Sequence, residues 1–134
     1  MFYGGAISWM SKTQRVVAQS TTESEYIALS TVGQEILFLG NVWEFIQPSL
    51  PRQQVMIFED NDGAVKLTHN SISASRSRTK HIDIINHFLR NLQRNKDIDV
   101  CRVGTTDQHG DPLTKNLPAG DFVRHMQFLM SFSE

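Results

Sequence analysis

The chain has 134 residues, of which 40% are hydrophobic and 20% charged, and its formal net charge is −1. This length suits one domain, and the composition is typical of a soluble globular protein. The single cysteine, Cys101, excludes an internal disulfide. We expect no membrane span, because no apolar run reaches the ~18 residues that a span needs. We also expect no signal peptide, because the N-terminus lacks a basic region followed by an apolar run. Any affinity for nucleic acid must come from a local patch, because the net charge is close to zero.

The predicted elements alternate between strands and helices along the chain. The first twelve residues indicate two short strands around Gly4-Gly5, and a helical period of apolar residues then runs from Ser20 to about Gln47. Two prolines end that helix. Further along, the pattern predicts a strand over Gln53–Phe58, a short helix in NDGAVKLTHN, a polar loop in ISASRSRT, a helix in KHIDIINHFLRNLQRN, a strand in DIDVCRVG and a last helix opened by Asp111 and Pro112. This order predicts an α/β domain with a mixed sheet.

Two glutamates lie near the start of the first long helix. Ser20 and Glu23 have the spacing of a capping box, which gives Glu23 a structural role. Glu25 falls on the apolar face of the same helix, where a carboxylate is costly unless it is paired or binds a metal. Two interpretations of Glu25 therefore stand: a structural carboxylate, in a salt bridge or at an edge open to water, and a metal ligand.

Two further carboxylates stand at the ends of predicted elements. Asp60 follows a short apolar strand, and α/β sheets place their sites at the carboxyl ends of strands. Alternation puts Asp60 and Glu59 on opposite faces of that strand. Asp111 has a sufficient structural role as a helix cap, and a ligand role stands beside it. If Glu25, Asp60 and Asp111 converge, their oxygen ligands favour Mg²⁺ or Mn²⁺ and a two-metal site for phosphodiester cleavage.

The pair Asp62-Gly63 superficially resembles part of a calcium loop. If Gly63 were the loop glycine of an EF-hand, the first ligand position would be Phe58 and the twelfth His69. Neither residue supplies a carboxylate, so a calcium-binding module is disfavoured. We interpret Asp62-Gly63 as turn chemistry.

Residues 76–96 form a basic segment in a chain of net charge −1, with Asp83 as its one acid. Such a segment can bind a phosphate backbone. The structural alternative is a solvated helix face preceded by a polar loop. The candidate nucleic-acid-binding residues are Arg76, Arg78, Lys80, Arg90 and Arg94.

Several motifs together carry a family resemblance: GGAISWMSKTQ, AQSTTESEYIAL, EDNDGAV, SRTKHIDI with HFLR downstream, and DPLTKNLP. The chain resembles the ribonuclease H domain at the end of the polyprotein of copia-type LTR retrotransposons, over nearly its whole length. The resemblance implies one ribonuclease H-like domain over residues 1–134, with a five-stranded mixed sheet and helices on both faces. It also implies Mg²⁺-dependent cleavage of the RNA strand of RNA–DNA hybrids. Glu25, Asp60 and Asp111 match three of the family's four acidic residues.

The chain departs from the family at its first acidic residue. That aspartate lies in a central first strand upstream of the GGAISW motif, and we expect this chain to lack that strand. The resemblance then implies a chain that is inactive by itself, holds Mg²⁺ or Mn²⁺ weakly if at all, and is marginally folded because neighbouring strands lose their hydrogen-bond partners. His109 is a smaller departure, since the family usually has an apolar residue there.

Two functions are compatible with the sequence. The first is a hydrolase domain that acts within a longer polyprotein, with reverse transcriptase as its partner and an RNA–DNA hybrid as its substrate. The second is a non-catalytic retroelement remnant that binds nucleic acid or a protein partner through residues 76–96. The family resemblance implies a cytoplasmic location for either.

Overall fold

The computed structural model describes residues 5–15, 17–69 and 80–130, with side chains of the last range from 83 onward. Within it the chain divides into two compact units. The central unit is Val16–Arg102, and the terminal unit combines Met1–Arg15 with Val103–Glu134. The helices in the described residues include none that is both long and apolar enough to cross a membrane.

The described residues of the central unit form three helices and two strands. Helix α1 spans Thr21–Ile46, strand β1 Val55–Glu59, helix α2 Asp62–His69, helix α3 Lys80–Arg94 and strand β2 Ile98–Arg102. The predicted helices and strands of this part of the chain are thus confirmed, with bounds shifted by a few residues. Their order, with helices between strands, is that of an α/β fold.

Helix α1 begins with the predicted capping box, with a difference of one residue. The Ser20 hydroxyl accepts a hydrogen bond from the backbone N–H of Glu23 at 3.1 Å. The Glu23 carboxylate reaches back to the N–H of Gln19 at 2.8 Å, rather than to that of Ser20. Both carboxylate and hydroxyl therefore satisfy backbone donors at the helix start, as the motif requires.

Burial of α1 is confined to its first half. Its buried positions are Tyr26, Leu29, Ser30 and Gly33, whereas Phe45 near its end is 89% exposed. Glu25 is half-buried and lies one turn before the buried Leu29 on the same side of the helix. Beyond Gly33 the partly buried Ile36 and Leu37 still pack against the core, whereas Phe38 and Ile46 are each 60% exposed.

The core of the central unit joins all five of its elements. Gly33 marks a close approach of α1 and α3, because a Cβ there would lie 2.9 Å from Leu92 Cδ1. The buried hydrophobic residues are Tyr26, Leu29, Ile57, Ala64, Leu89, Leu92, Ile98 and Val100.

The sheet of the described residues consists of β1 and β2 in parallel, with Val55 opposite Ile98 and Glu59 opposite Arg102. Ile57 and Glu59 point into the core, while Met56 and Phe58 are more than half exposed. Strand β1 is therefore buried on one face only. The α/β class is confirmed, and the five-stranded mixed sheet stays a prediction.

The terminal unit differs from the sequence prediction at both its ends. Residues 6–15 form no strand, and Ala6 donates a backbone hydrogen bond to Leu129 at 2.9 Å, so the predicted hairpin was wrong for these residues. Residues 1–4 lie outside the described part of the chain. Asp111–Leu113 is a short 3₁₀ turn, and helix α4 spans Ala119–Met130. The helix begins late because Pro118 disfavours helical geometry in the residue before it.

Candidate carboxylate site

A buried carboxylate closes strand β1. Glu59 is only 5% exposed and is the last residue of the strand. Burial raises the pKa of Glu59 to about 7. The backbone N–H of Asn61 and the charge of Arg102 lower this pKa, whereas the charges of Glu25 and Asp60 raise it further. Glu59 thus takes a proton near neutral pH mainly because it is buried, and the neighbouring acids add to this effect.

The turn after β1 is tied to the start of α1. The Asn61 side-chain oxygen accepts a hydrogen bond from the N–H of Ala64 at 3.0 Å, which caps α2. The Thr22 hydroxyl donates to the same oxygen at 3.3 Å. A Cβ at Gly63 would lie 2.8 Å from Thr22, so only a glycine allows this approach. These contacts bring the first turn of α1 to the end of β1.

Glu25 and Asp60 therefore flank Glu59 within the central unit. Glu25 lies one turn after Thr22 on α1, and Asp60 directly follows Glu59 in the chain. Both side chains are half-buried, and both charges act on Glu59. The structure thus places two of the three predicted acids at one end of β1, together with a third carboxylate that the sequence did not single out.

Asp62 has a different partner. It opens helix α2 and forms an ion pair with Arg102, the last residue of β2, at 2.5 Å. Both side chains are largely exposed. Besides its place at the turn before α2, Asp62 therefore links α2 to β2.

Asp111 belongs to the terminal unit. It is 8% exposed, and its carboxylate pairs with Lys115 Nζ at 2.8 Å. The residue begins a 3₁₀ turn whose cap is Gly110, without a side-chain capping bond. The prediction of Asp111 as a helix N-cap was therefore wrong, because its carboxylate binds a lysine one turn later.

His109 takes part in packing within the terminal unit. Its ring stacks on Phe128 with centroids 3.7 Å apart. Its Nδ1 lies 3.0 Å from Nδ1 of the buried His125, so one ring donates and the other accepts. The residue that departs from the family pattern is thus held by one aromatic ring and one polar partner.

The described residues do not by themselves assemble a metal site. Among them, no three His, Cys, Asp or Glu side chains form a group that could hold a metal ion. The side chains at the end of β1 are carboxylates, whose oxygens are the ligand type that Mg²⁺ and Mn²⁺ prefer. Their number and arrangement among the described residues do not form a complete site. Glu25, Asp60 and Asp111 as metal ligands stay a prediction.

The basic residues divide between described and undescribed parts of the chain. Arg76 and Arg78 lie outside the described residues, and Lys80 begins α3 with a side chain that is not described. Arg90 and Arg94 lie in the last two turns of α3 and line one small pocket. Their role in binding nucleic acid stays a prediction.

Sequence reasoning missed Glu59 and Asn61. The period-two pattern of β1 contained the signal for Glu59, because it puts Glu59 on the same face as the apolar Ile57. Asn61 could have been found as a capping residue two positions before Gly63. Both residues lie directly beside the aspartates Asp60 and Asp62 in the sequence.

Comparison with known proteins finds relatives of the chain among plant transposon proteins. No protein-family model and no solved structure matches it. The chain is 38% identical over 122 residues to the "Retrovirus-related Pol polyprotein from transposon TNT 1-94" of Nicotiana tabacum, covering 90% of this chain. The chain is homologous to part of the Pol polyproteins of plant transposons.

Two Pol polyproteins from Arabidopsis thaliana agree with this assignment. The chain is 39% identical to that of transposon RE1 and 37% identical to that of transposon RE2, in each case over 111 residues and 83% of the chain. The chain spans 9% of the TNT 1-94 polyprotein and 7% of each Arabidopsis polyprotein. The homology relates the chain to retroelement Pol polyproteins and assigns no role to the acidic or basic candidate residues.

Proposed function

We propose that the chain is a ribonuclease H-like domain of a copia-type retrotransposon polyprotein, and that it acts on RNA–DNA hybrids next to reverse transcriptase. One observation carries the proposal: Glu25 and Asp60 flank the buried Glu59 at the carboxyl end of β1. The Pol homology supports the retroelement setting.

The proposed site uses carboxylates that crowd one another. Like charges in a partly buried place are stabilised by a proton or by a cation. Arg102 offsets part of the charge but already pairs with Asp62. A divalent cation would supply the rest, and when bound it would activate water and stabilise the leaving oxygen. Glu25 and Asp60 are the residues of the central unit proposed to hold Mg²⁺ or Mn²⁺, and Asp111 stays a ligand predicted from the sequence.

Metal binding is the first readout, because the sequence predicts little or no cleavage by this chain alone. Mn²⁺ binding is measured by electron paramagnetic resonance, with Mg²⁺ as competitor, for the chain and for Glu25→Gln and Asp60→Asn. Glu44→Gln is the matched control, since Glu44 is an exposed acid on the same helix. We expect each site variant to weaken Mn²⁺ binding by at least about tenfold and the control to leave it unchanged.

Cleavage of a labelled RNA–DNA hybrid in Mg²⁺ or Mn²⁺ is measured on the same samples. Cleavage that is lost in Glu25→Gln and Asp60→Asn would establish the hydrolase. Mn²⁺ binding that is indifferent to both substitutions, in chains shown to be folded, would overturn the proposed site.

A second function is non-catalytic binding of nucleic acid through residues 76–96. One observation favours it: among the described residues, Arg90 and Arg94 take part in none of the ion pairs that Arg52, Arg102 and Arg124 form. Hybrid binding without metal binding or cleavage would support this second function.

A further inference from the structure

A small pocket lies in the central unit beside the carboxyl-terminal ends of α2 and α3. Its volume is about 200 Å³. Thr68 and His69 are the last two residues of α2, and three residues from the last two turns of α3 complete the lining. The lining residues are Thr68, His69, Arg90, Gln93 and Arg94.

Hydrogen bonds fix the walls of this pocket to the sheet. His69 Nε2 donates to the backbone oxygen of Val100 in β2 at 2.8 Å. His69 Nδ1 then accepts a hydrogen bond from Gln93 Nε2 at 2.8 Å, which ties α3 to α2. The hydroxyl of Thr68, which is 3% exposed, donates to Val65 in its own helix. The pocket is therefore preorganised before any ligand enters.

The charge of the pocket is positive. Its lining includes two arginines and no acid. Arg90 is half-buried, and its Nε is shielded from water without a hydrogen-bond partner among the described residues. The carboxyl-terminal ends of two helices each contribute about half a negative charge. Two guanidinium groups exceed that opposing charge by about one unit, which is the charge of one phosphodiester.

We propose that this pocket binds one phosphate group of a nucleic-acid backbone, with Arg90 and Arg94 as its charged donors. Guanidinium groups present paired N–H donors that match phosphate oxygens. A contact of this kind positions the strand and is independent of base sequence. The inference rests on the proposed nucleic-acid substrate and not on the carboxylate site.

The test measures binding of a labelled RNA–DNA hybrid in EDTA, so that the metal site plays no part. Arg94→Gln and Arg90→Gln are compared with Lys66→Gln, which removes a charge from an exposed position of α2 that does not line the pocket. We expect each arginine variant to weaken binding about tenfold at low salt, as loss of a charge-assisted hydrogen bond predicts. The slope of log K against log salt should fall by about 0.7–0.9 for each lost contact.

The exposed Arg94 decides the question if Arg90→Gln melts early, because replacing an exposed arginine leaves the core intact. Affinity and salt slope in Arg94→Gln that equal those of Lys66→Gln would overturn the proposal. Inorganic phosphate is titrated against ¹⁵N-labelled chain in parallel. Shifts of the Arg90 and Arg94 side-chain signals with phosphate, but unchanged hybrid binding in the variants, would identify a free-anion pocket and also overturn it. A failed metal test with a positive pocket test would leave this inference standing.

Discussion

The carboxylate of Glu59 accepts a hydrogen bond from the backbone N–H of Asn61 at 2.9 Å. This bond connects the last residue of β1 to the residue whose side chain caps α2 and contacts α1. One short turn thus sets the relative positions of a strand, two helices and three carboxylates. The site geometry depends on the backbone of that turn as much as on the acids themselves.

Glu59 should make the central unit more stable at mildly acidic than at alkaline pH. Its pKa is raised from 4.5 to about 7, mainly by burial. A raised pKa stabilises the folded state below the unfolded value, and that stability is lost as pH rises through the folded pKa. We expect the free energy of unfolding to fall by on the order of 1–3 kcal/mol between pH 4.5 and 8.

Chemical denaturation of the chain and of Glu59→Gln across this pH range measures the effect. The glutamine keeps the shape and carries no charge, so its stability should change less with pH. Glu44→Gln serves as the exposed control. Parallel pH profiles for the chain and Glu59→Gln would contradict the prediction.

Gly33→Ala should destabilise the packing of α1 on α3. The added Cβ would lie 2.9 Å from Leu92 Cδ1 and 3.2 Å from Phe88 Cε1, which is too close. Overpacking costs about 1–3 kcal/mol, against about 1 kcal/mol gained from helix propensity. We expect a net loss of about 1 kcal/mol in thermal unfolding. Gly120→Ala in α4, where a Cβ meets nothing within 4 Å, should instead be neutral or stabilising.

Ser20→Ala should remove the cap of α1. Loss of the bond from the Glu23 N–H to the Ser20 hydroxyl costs about 1 kcal/mol in comparable helices. Urea denaturation followed by circular dichroism measures it. Thr21→Ala, at the exposed first position of the helix, is expected to stay within about 0.5 kcal/mol. Equal effects of the two substitutions would show that the capping box contributes nothing.

The terminal unit should respond to pH in the opposite sense. Burial lowers the pKa of His109, the nearby His125 and Arg124 lower it further, and Asp107 opposes them. A lowered histidine pKa stabilises the folded state above the unfolded value of 6.5, and this stability is lost as pH falls below it.

Hydrogen exchange of the α4 amides, corrected for intrinsic pH effects, measures this response. We expect lower protection at pH 5.5 than at pH 7.5. His109→Phe keeps the stacking on Phe128 and carries no titrating ring, so its protection should depend less on pH. An unchanged pH dependence in that variant would assign the effect to other groups.

Local signals in the sequence predicted the central unit well. The capping box at Ser20 and the periodicity of α2 and α3 depend on neighbours within one or two turns, so the residues themselves contain the information. The start of α4 was misplaced because Asp111 and Pro112 have the pattern of a helix start but open a 3₁₀ turn, whereas the helix begins at Ala119. Only the tertiary structure distinguishes the two positions.

The candidate site was predicted less completely, for a physical reason. Glu25 was predicted on the apolar face of α1, but the part of that face that is buried depends on where α3 approaches Gly33. Glu59 belongs to the site because it lies on the same buried face of β1 as Ile57. Which face is buried depends on how the sheet packs against the helices. Charge density in the sequence identified the acidic region but not the acid that is most buried.

The parallel pairing of β1 and β2 has a consequence for biosynthesis. Val55 finds its partner Ile98 about 40 residues later, and such distant contacts form slowly. During vectorial synthesis β1 leaves the ribosome with neither its partner strand nor α3 present. Its apolar residues and open edge then remain exposed for the several seconds that translation of this stretch takes. We expect the nascent chain to be an aggregation-prone client of chaperones until β2 emerges.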